Sequence, residues 1–452
     1  MASAADKDYS DPLARFRDKF SIPDPDLIYL DGNSLGRMPL AAAGRLKEVS
    51  EAWAGDLVRS WSEWFGLPER LGAKIALLIG AQPDEVIVCD STTINLFKLI
   101  YAALKLQSGR NVVVTDDLNF PSDVYAMSGV CQMFPLPCSR EPDSFGGGSR
   151  GKPDRLSVRS AAPFCEAEGV RGRGQCSLDF IRSRDQVTVE FADLVSKLSE
   201  KVALLSLSHA SFKSAFVYDM KSVTAEAHNC GISVLWDLSH SVGVLPIELN
   251  ASEADFAIGC TYKYLNGGPG APAFLYVRKD LQEKLESPIW GWFGQQNPFN
   301  FDLEYSPRRG MQKFLVGTPP ILSLATAEPG IDIVLEAGIG NIRDKSILQT
   351  EYLIQLWREH LEPLGVQLKS PEISAMRGGH VSFGHPEALR IDKCLIERMN
   401  VVPDFRAPDN IRFGASPLYN TFAELEESVL RFKQIIENKL YEEYSDERPT
   451  VT

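Results

Sequence analysis

Short apolar runs separated by turn residues organise the first two thirds of the chain. Glu85 to Cys89, Asn111 to Thr115, Val202 to Ser208, Ile232 to Trp236 and Asp255 to Cys260 are Val/Ile/Leu-rich, and Ala271 to Val277 repeats the pattern after the Gly-rich Asn266 to Gly270. Helical spacing fills the gaps: LGAKIALLIGA from Leu71, INLFKLIYAALKL from Ile94, and MKSVTAEAHNC closed by Gly231. Buried strands alternating with helices predict an α/β chain with a mostly parallel central sheet and helices on both faces. Ahead of them, IYLDGNSLGRMPLAAAGRL (Ile28 to Leu46) reads as a short strand, a Gly/Asn/Ser turn and a helix.

From about Leu322 the pattern changes to long helices, Ser346 to Leu361 and Thr421 to Tyr444, with short strands near Gln367 and at His380 to Phe383. This predicts a small α+β C-terminal domain over 326–452 and a large domain over 51–325. Residues 1–50 form a segment contributing to the small domain and to the active site. One stretch, 131–175, is rich in Ser, Arg, Gly and Pro and lacks an apolar period. It reads as a disordered insertion, because such composition buries too little surface to offset its ordering entropy.

Composition narrows the partners. With 452 residues, 44% hydrophobic and 24% charged, the chain has ample length for a core. Lys+Arg 47 against Asp+Glu 60 leaves a net charge of −13, which argues against nucleic acid or an anionic membrane surface. The eight cysteines show no CxxC spacing and no adjacent histidine pair, so no metal site is expected. MASAADKDYSDPLARF lacks the basic start and apolar run of a secretory signal, and a cytoplasmic location is the expectation.

Ligands of open parallel sheets bind beyond the carboxyl ends of the strands. Three groups fall there: the hydroxyl cluster Ser91 to Thr93, at a helix start suited to an anion; Asp237-Leu-Ser-His240; and Thr261-Tyr262-Lys263. A phosphate cradle, a carboxylate, a histidine and a lysine at one crevice match the needs of pyridoxal 5'-phosphate. Its aldehyde takes a lysine amine, its phosphate takes N–H and hydroxyl donors, and its ring nitrogen is kept protonated by a carboxylate. Each signal alone is unspecific, since a lysine after a strand is usually a solvated side chain and Asp-x-x-His is as often a cap.

YLDGNSLG, STTINLFKL, NFPSD, WDLSHSVG, YKYLNGGPGAPAFLYV, GWFG, FLVGTPPILSL, DFRAPDNIRFG and PLYN occur in this order. Through them the chain resembles the kynureninases, bacterial and fungal forms above animal ones, from about Ile28 to Ile436 apart from the 131–175 stretch. The resemblance implies pyridoxal-phosphate fold type I, hydrolysis of the Cβ–Cγ bond of L-kynurenine to anthranilate and L-alanine, and a homodimer with active sites at the subunit interface. Lys263 matches the lysine that binds the cofactor and moves the Cα proton, Asp237 the partner of the ring nitrogen, and His240 its neighbour. Tyr262 matches the general acid. Phe120 is similar to the stacking aromatic, and Thr92, Thr93, Ser122, Asp123 and Ser208 to further cofactor contacts. Trp292 and Thr318 match residues reaching the cofactor from the second subunit.

For the substrate, Arg412 resembles the arginine that forks onto the α-carboxylate. Asn33 and Ser34 match pocket residues, and Trp64 is a candidate wall for the aromatic ring, with a core role as the plainer reading. Three departures stand out: Gln295 replaces the histidine usual after GWFG, Ser214-Ala215 replaces a usual Thr-Gly, and Gly317-Thr318 follows the bacterial pattern, favouring kynurenine over its 3-hydroxy form. A transaminase or desulfurase of the same fold would share Asp237, His240 and Lys263. A desulfurase also needs a mobile nucleophilic cysteine, whereas Cys394 falls in a helical stretch.

Overall fold

A computed structural model describes residues 3–107, 109–134 and 176–448. Its strands, in chain order, are β1 (Ile28–Tyr29), β2 (Val86–Val88), β3 (Val112–Asp116), β4 (Ser177–Ile181), β5 (Val202–Ser208), β6 (Ser233–Asp237), β7 (Phe256–Gly259), β8 (Phe274–Val277), β9 (Gln367–Leu368), β10 (Val381–Gly384), β11 (Val401–Val402), β12 (Asp404–Arg406) and β13 (Asn410–Phe413). Seven make the central sheet, in the order β2-β8-β7-β6-β5-β3-β4. β3 to β7 run parallel, while β8 is antiparallel to both β7 and β2. Two reversals return β2 to the direction of β7, so the carboxyl ends of β2, β5, β6 and β7 share one edge of the sheet. Every residue of β5 to β8 is buried, as expected for strands covered on both faces.

The second layer of structure is an antiparallel sheet, β12-β13-β10-β9, packed against the helices Ala388–Met399 and Phe422–Glu437. The N-terminal segment joins it through parallel pairing of β1 with β11. Asp8 strengthens that join, accepting the backbone N–H groups of Phe422 and Ala423 at a helix N-terminus, where a carboxylate is favoured.

Some expectations need correction. The helix Ile321–Ala337 runs through the 325/326 boundary, and Leu324, Ile331 and Val334 belong to the core of the central sheet. At Gly338, whose φ is 80°, this helix gives way to Ile339–Leu356. Cys131 to Met133, assigned to a disordered insertion, close the helix Pro121–Met133, and Cys131 is buried. Residues 135–175 lie outside the described residues. Helix Pro121–Met133, strand β4 and the β12–β13 hairpin had no period of their own in the sequence reading. No helix among the described residues is long and apolar enough to cross a membrane.

Candidate active site

A cavity of about 650 Å³ opens at the carboxyl edge of the central sheet, lined by Asn33, Ser34, Thr92, Thr93, Phe120, Ser122, Asp123, Asp237, His240, Tyr262, Lys263, Thr318 and Arg412 among others. The three strand-end groups therefore converge. Lys263 follows β7 and His240 follows β6, and Nζ of the lysine lies 2.8 Å from Nε2 of the histidine. Burial, then the charge of Lys263, drives the His240 pKa well below its ordinary value. The imidazole is thus neutral and accepts a hydrogen from the ammonium.

Asp237 ends β6, with Oδ1 accepting the backbone N–H of Ser239 at 2.8 Å. Asp123, a second carboxyl, sits beside it and is pushed well above the usual range by burial and by the Asp237 charge. Asp123 therefore holds its proton in this setting. On the opposite wall, the helix starting at Thr92 and the helix starting at Pro121 bring their N-termini together, linked by Thr93 Oγ1 and Ser122 Oγ at 2.9 Å. Their unpaired N–H groups suit an anion. Phe120, 41% exposed, lines the cavity and stands roughly perpendicular to Phe212, with ring centroids 5.1 Å apart.

Carboxylate, neutral histidine, lysine, anion cradle and an aromatic ring on the wall fit pyridoxal phosphate. Nδ1 of His240 adds to this fit, being buried with no hydrogen-bond partner among the described residues.

Sequence reading missed the residues that hold the cradle in place. Asp90, on the cavity wall, adopts φ 49°, and its carboxylate pairs with the ammonium of Lys98, whose side chain is wholly buried. Lys98 also donates to the carbonyl of Phe314 at 2.6 Å, tying the cradle to the 315–320 wall that carries Thr318. Asn119 bridges Thr115 and Ser208, with Ser208 Oγ donating to Asn119 Oδ1 at 2.8 Å. Ser208 is thereby turned into a buried network and does not line the cavity.

The far side of the cavity is built by the β12–β13 hairpin and the N-terminal turn. Arg412, 1% exposed, donates through Nε to Asp404 Oδ1 at 2.5 Å and through Nη2 to Asp404 Oδ2 and to Ser34 Oγ. Its Nη1 reaches the carbonyl of Phe212. Arg406, also on the wall, shares Asp404 at 2.5 Å. Burial raises the Asp404 carboxyl, but Arg412 and Arg406 overcome this and hold it below its ordinary value. Asp31, by contrast, is lifted to about 7 by burial and by the Asp404 charge.

Two glycines allow the N-terminal turn to lie this close. A Cβ on Gly36 would stand 2.4 Å from the Lys263 carbonyl oxygen, and one on Gly414 would stand 1.7 Å from Asn33 Oδ1. The Gly36 N–H donates to the Tyr262 carbonyl at 2.8 Å, so the turn is seated directly on the lysine's own backbone.

A kynureninase C-terminal domain model matches residues 342–432 and an aminotransferase class-V model matches 160–385. The kynureninase of Pseudomonas fluorescens is 37% identical over 441 residues, covering 96% of this chain and 95% of its own length. That of Deinococcus radiodurans is 36% identical over 438 residues, covering 95% of each. The chain belongs to the kynureninase family. It is accordingly a pyridoxal-phosphate-dependent hydrolase acting on carbon–carbon bonds. Among solved structures, the apo cysteine desulfurase of Thermococcus onnurineus NA1 shares the fold, with a TM-score of 0.71 at 16% identity over 97% of this chain and 99% of that one. The cystine C-S lyase C-DES with cysteine persulfide has a TM-score of 0.72 at 16% identity, covering 90% and 98%. Both show the class-V, fold type I architecture.

Two residues singled out from the sequence lie outside this cavity. Trp64 is 8% exposed and packs edge-on to Trp61, with ring centroids 5.8 Å apart; it is a core tryptophan and not a wall of this cavity. Trp292, 41% exposed, lines a separate shallow groove with Trp290, Phe301 and Tyr305. Gln295, at the usual histidine position, accepts the Ser306 N–H at 2.6 Å and donates to the Glu304 carbonyl, bracing a loop. Ala215, where the family has glycine, is held at φ 63°, the left-handed region that glycine occupies freely. Cys394 is fully buried in the helix Ala388–Met399, which is no place for a mobile nucleophile.

Proposed function

We propose that this chain hydrolyses L-kynurenine to anthranilate and L-alanine, within tryptophan catabolism and towards NAD biosynthesis, in the cytoplasm. One observation carries the reading. Lys263, His240, Asp237 and Arg412 line a single cavity, a set that suits an amino acid held by its carboxylate.

When bound, pyridoxal phosphate supplies an electron sink that labilises bonds at Cα and, one carbon on, the bond to the aryl ketone. Lys263 holds the cofactor and then carries the Cα proton on Nζ, with neutral His240 accepting from it. Asp237 would face the ring nitrogen and hold its proton there, with the protonated Asp123 beside it. Thr92, Thr93 and Ser122 hold the phosphate. Arg412 orients the α-carboxylate, with Ser34 and Asn33 beside it; both ends of the Asn33 amide are buried and unpartnered among the described residues. Tyr262 serves as the proton donor, since Cys260, burial and Asp237 together raise its phenol and keep it protonated.

The active enzyme is a homodimer in this reading. Trp292 serves the partner's site, whereas Thr318 lines this protomer's own cavity, and the exposed Trp290, Phe299, Phe301 and Leu303 support a covered face. The large domain ends at Gly338 and the small one combines the C-terminal part with the N-terminal segment. Purified protein incubated with L-kynurenine should yield anthranilate fluorescence and alanine in equal amounts, faster than 3-hydroxyanthranilate from the 3-hydroxy substrate. Cofactor-coloured protein giving no product refutes the proposal, and the reverse order in matched kinetics refutes the substrate preference.

A further inference from the structure

Two cysteines on the side of the fold away from the cavity stand in direct contact. Cys131 lies in the last turn of the helix Pro121–Met133, Cys176 immediately precedes β4, and their Sγ atoms are 3.1 Å apart. A disulfide has an S–S bond of about 2.05 Å, so closing the contact needs an approach of about 1 Å.

The frame holds both residues in place. Cys176 N–H donates to the Phe134 carbonyl at 3.4 Å, and Ser177 N–H donates to the Asn111 carbonyl at 2.9 Å. β4 is paired in register with β3, Ser177 beside Val112. The Phe134 ring packs on Tyr101 with centroids 4.9 Å apart, fixing the helix end against the neighbouring helix. Cys131 and Cys176 are 4% and 8% exposed. We propose that Cys131 and Cys176 are a covalent modification site, a reversible disulfide that staples the end of the helix bearing Ser122 and Asp123 to the edge of the central sheet.

The contact also assigns the order of events. Within this contact the hydrogen bond between the two sulfurs lowers the Cys176 thiol and raises that of Cys131, so we take Cys176 as the sulfur that ionises first. A peroxide is the oxidant class that fits, being small enough for a nearly closed site. The Cys176 thiolate attacks one peroxide oxygen; an S–O bond forms, the O–O bond breaks and hydroxide leaves, giving a sulfenic acid. Cys131 Sγ then attacks the Cys176 sulfur; the S–S bond forms, the S–O bond breaks, and water leaves after taking the Cys131 proton. Two thiols and one hydrogen peroxide become one disulfide and two waters, the sulfurs losing the two electrons that the peroxide gains. A dithiol reductant reverses the change.

The test exposes purified holoenzyme to hydrogen peroxide at neutral pH, blocks remaining thiols by alkylation, and maps tryptic peptides by mass with fragmentation to place each link. The expected result is a Cys131–Cys176 cross-link, removed by dithiothreitol and absent from Cys131→Ser and Cys176→Ser. In Cys131→Ser, dimedone should trap a sulfenic acid on Cys176. A link from either residue to Cys138 or Cys165, or alkylation of both after peroxide, overturns the proposal. Dimedone labelling of Cys131 in Cys176→Ser with none on Cys176 in Cys131→Ser overturns the order of attack.

Discussion

Asp404 grips the guanidinium of Arg412 fork to fork, Nε on Oδ1 at 2.5 Å and Nη2 on Oδ2. The arginine proposed to meet the substrate carboxylate is therefore set in orientation by a partner eight residues earlier across a hairpin. Lysine in its place keeps the charge and loses the planar fork. Arg412→Lys should lose about 2 kcal/mol, roughly thirtyfold in kcat/KM, the size of a charge-assisted hydrogen bond. The change should appear mainly in KM, which steady-state kinetics on kynurenine will read.

Lys263 has His240 as its hydrogen-bond partner in the cavity. In Lys263→Ala, borohydride should no longer fix the cofactor to the chain, as mass spectrometry of the intact protein will show. Product formation should fall by roughly 10²- to 10⁴-fold, the range of a positioned proton-transfer group.

Lys98 holds the cradle together through Asp90 and the Phe314 carbonyl. Its side chain is 0% exposed and its partner Asp90 is 30% exposed. Lys98→Met leaves that carboxylate uncompensated, at a cost of about 2 kcal/mol, below the range for a fully buried pair because Asp90 still meets solvent. Cofactor affinity should fall as the Asp90 and Phe314 walls separate. An absorbance titration of apo protein with pyridoxal phosphate, beside a chemical melt, tests both.

Ala215 occupies a backbone conformation that disfavours a Cβ. Ala215→Gly should stabilise the fold by roughly 1 kcal/mol, the strain relieved less the entropy glycine adds to the unfolded chain. Chemical denaturation at fixed cofactor concentration measures the difference. A destabilised variant contradicts the strain argument.

Burial, aided by the charge of Arg343, lowers the His209 pKa to about 4. Between that value and its ordinary 6.5 the unfolded chain binds a proton that the folded chain refuses, so this residue's contribution to stability falls as pH falls. His209→Gln removes the titration. The stability advantage of the wild type over this variant should shrink by about 1.5 kcal/mol from pH 6.5 to 5, the slope approaching about 1.36 kcal/mol per pH unit once the unfolded histidine is fully protonated. Parallel melts at the two pH values read it directly, and a constant difference would contradict a neutral buried His209.

Much of the architecture was readable from period alone. Val202 to Ser208 and Ser233 to Asp237 announce themselves as buried strands because each is apolar almost throughout. The helices from Thr92 and Met220 declare their starts through Ser91 and Asp219, whose side chains accept the backbone N–H groups of Ile94 and Ser222. Strand ends then pointed to Asp237, His240 and Lys263, since parallel sheets gather their carboxyl ends at one edge. Short elements gave less. β12 and β13 have three and four residues, too few for a period to stand out, and the turn NFPSD concealed the helix that begins at Pro121.

The sequence by itself determined the alternation of the main buried strands and helices, the strand-end positions of Lys263 and Asp237, and the family. Such features are written in runs of neighbouring residues, where side-chain period and local motifs act. Only the tertiary structure decided that Trp64 belongs to the core, that Lys98 joins two walls of the cavity, and that Cys131 meets Cys176. It also decided what surrounds Arg412, whose partners Phe212 and Ser34 lie 200 and 378 positions away. Contacts of that kind exist only once packing has closed the chain on itself, because no local interaction links residues so far apart.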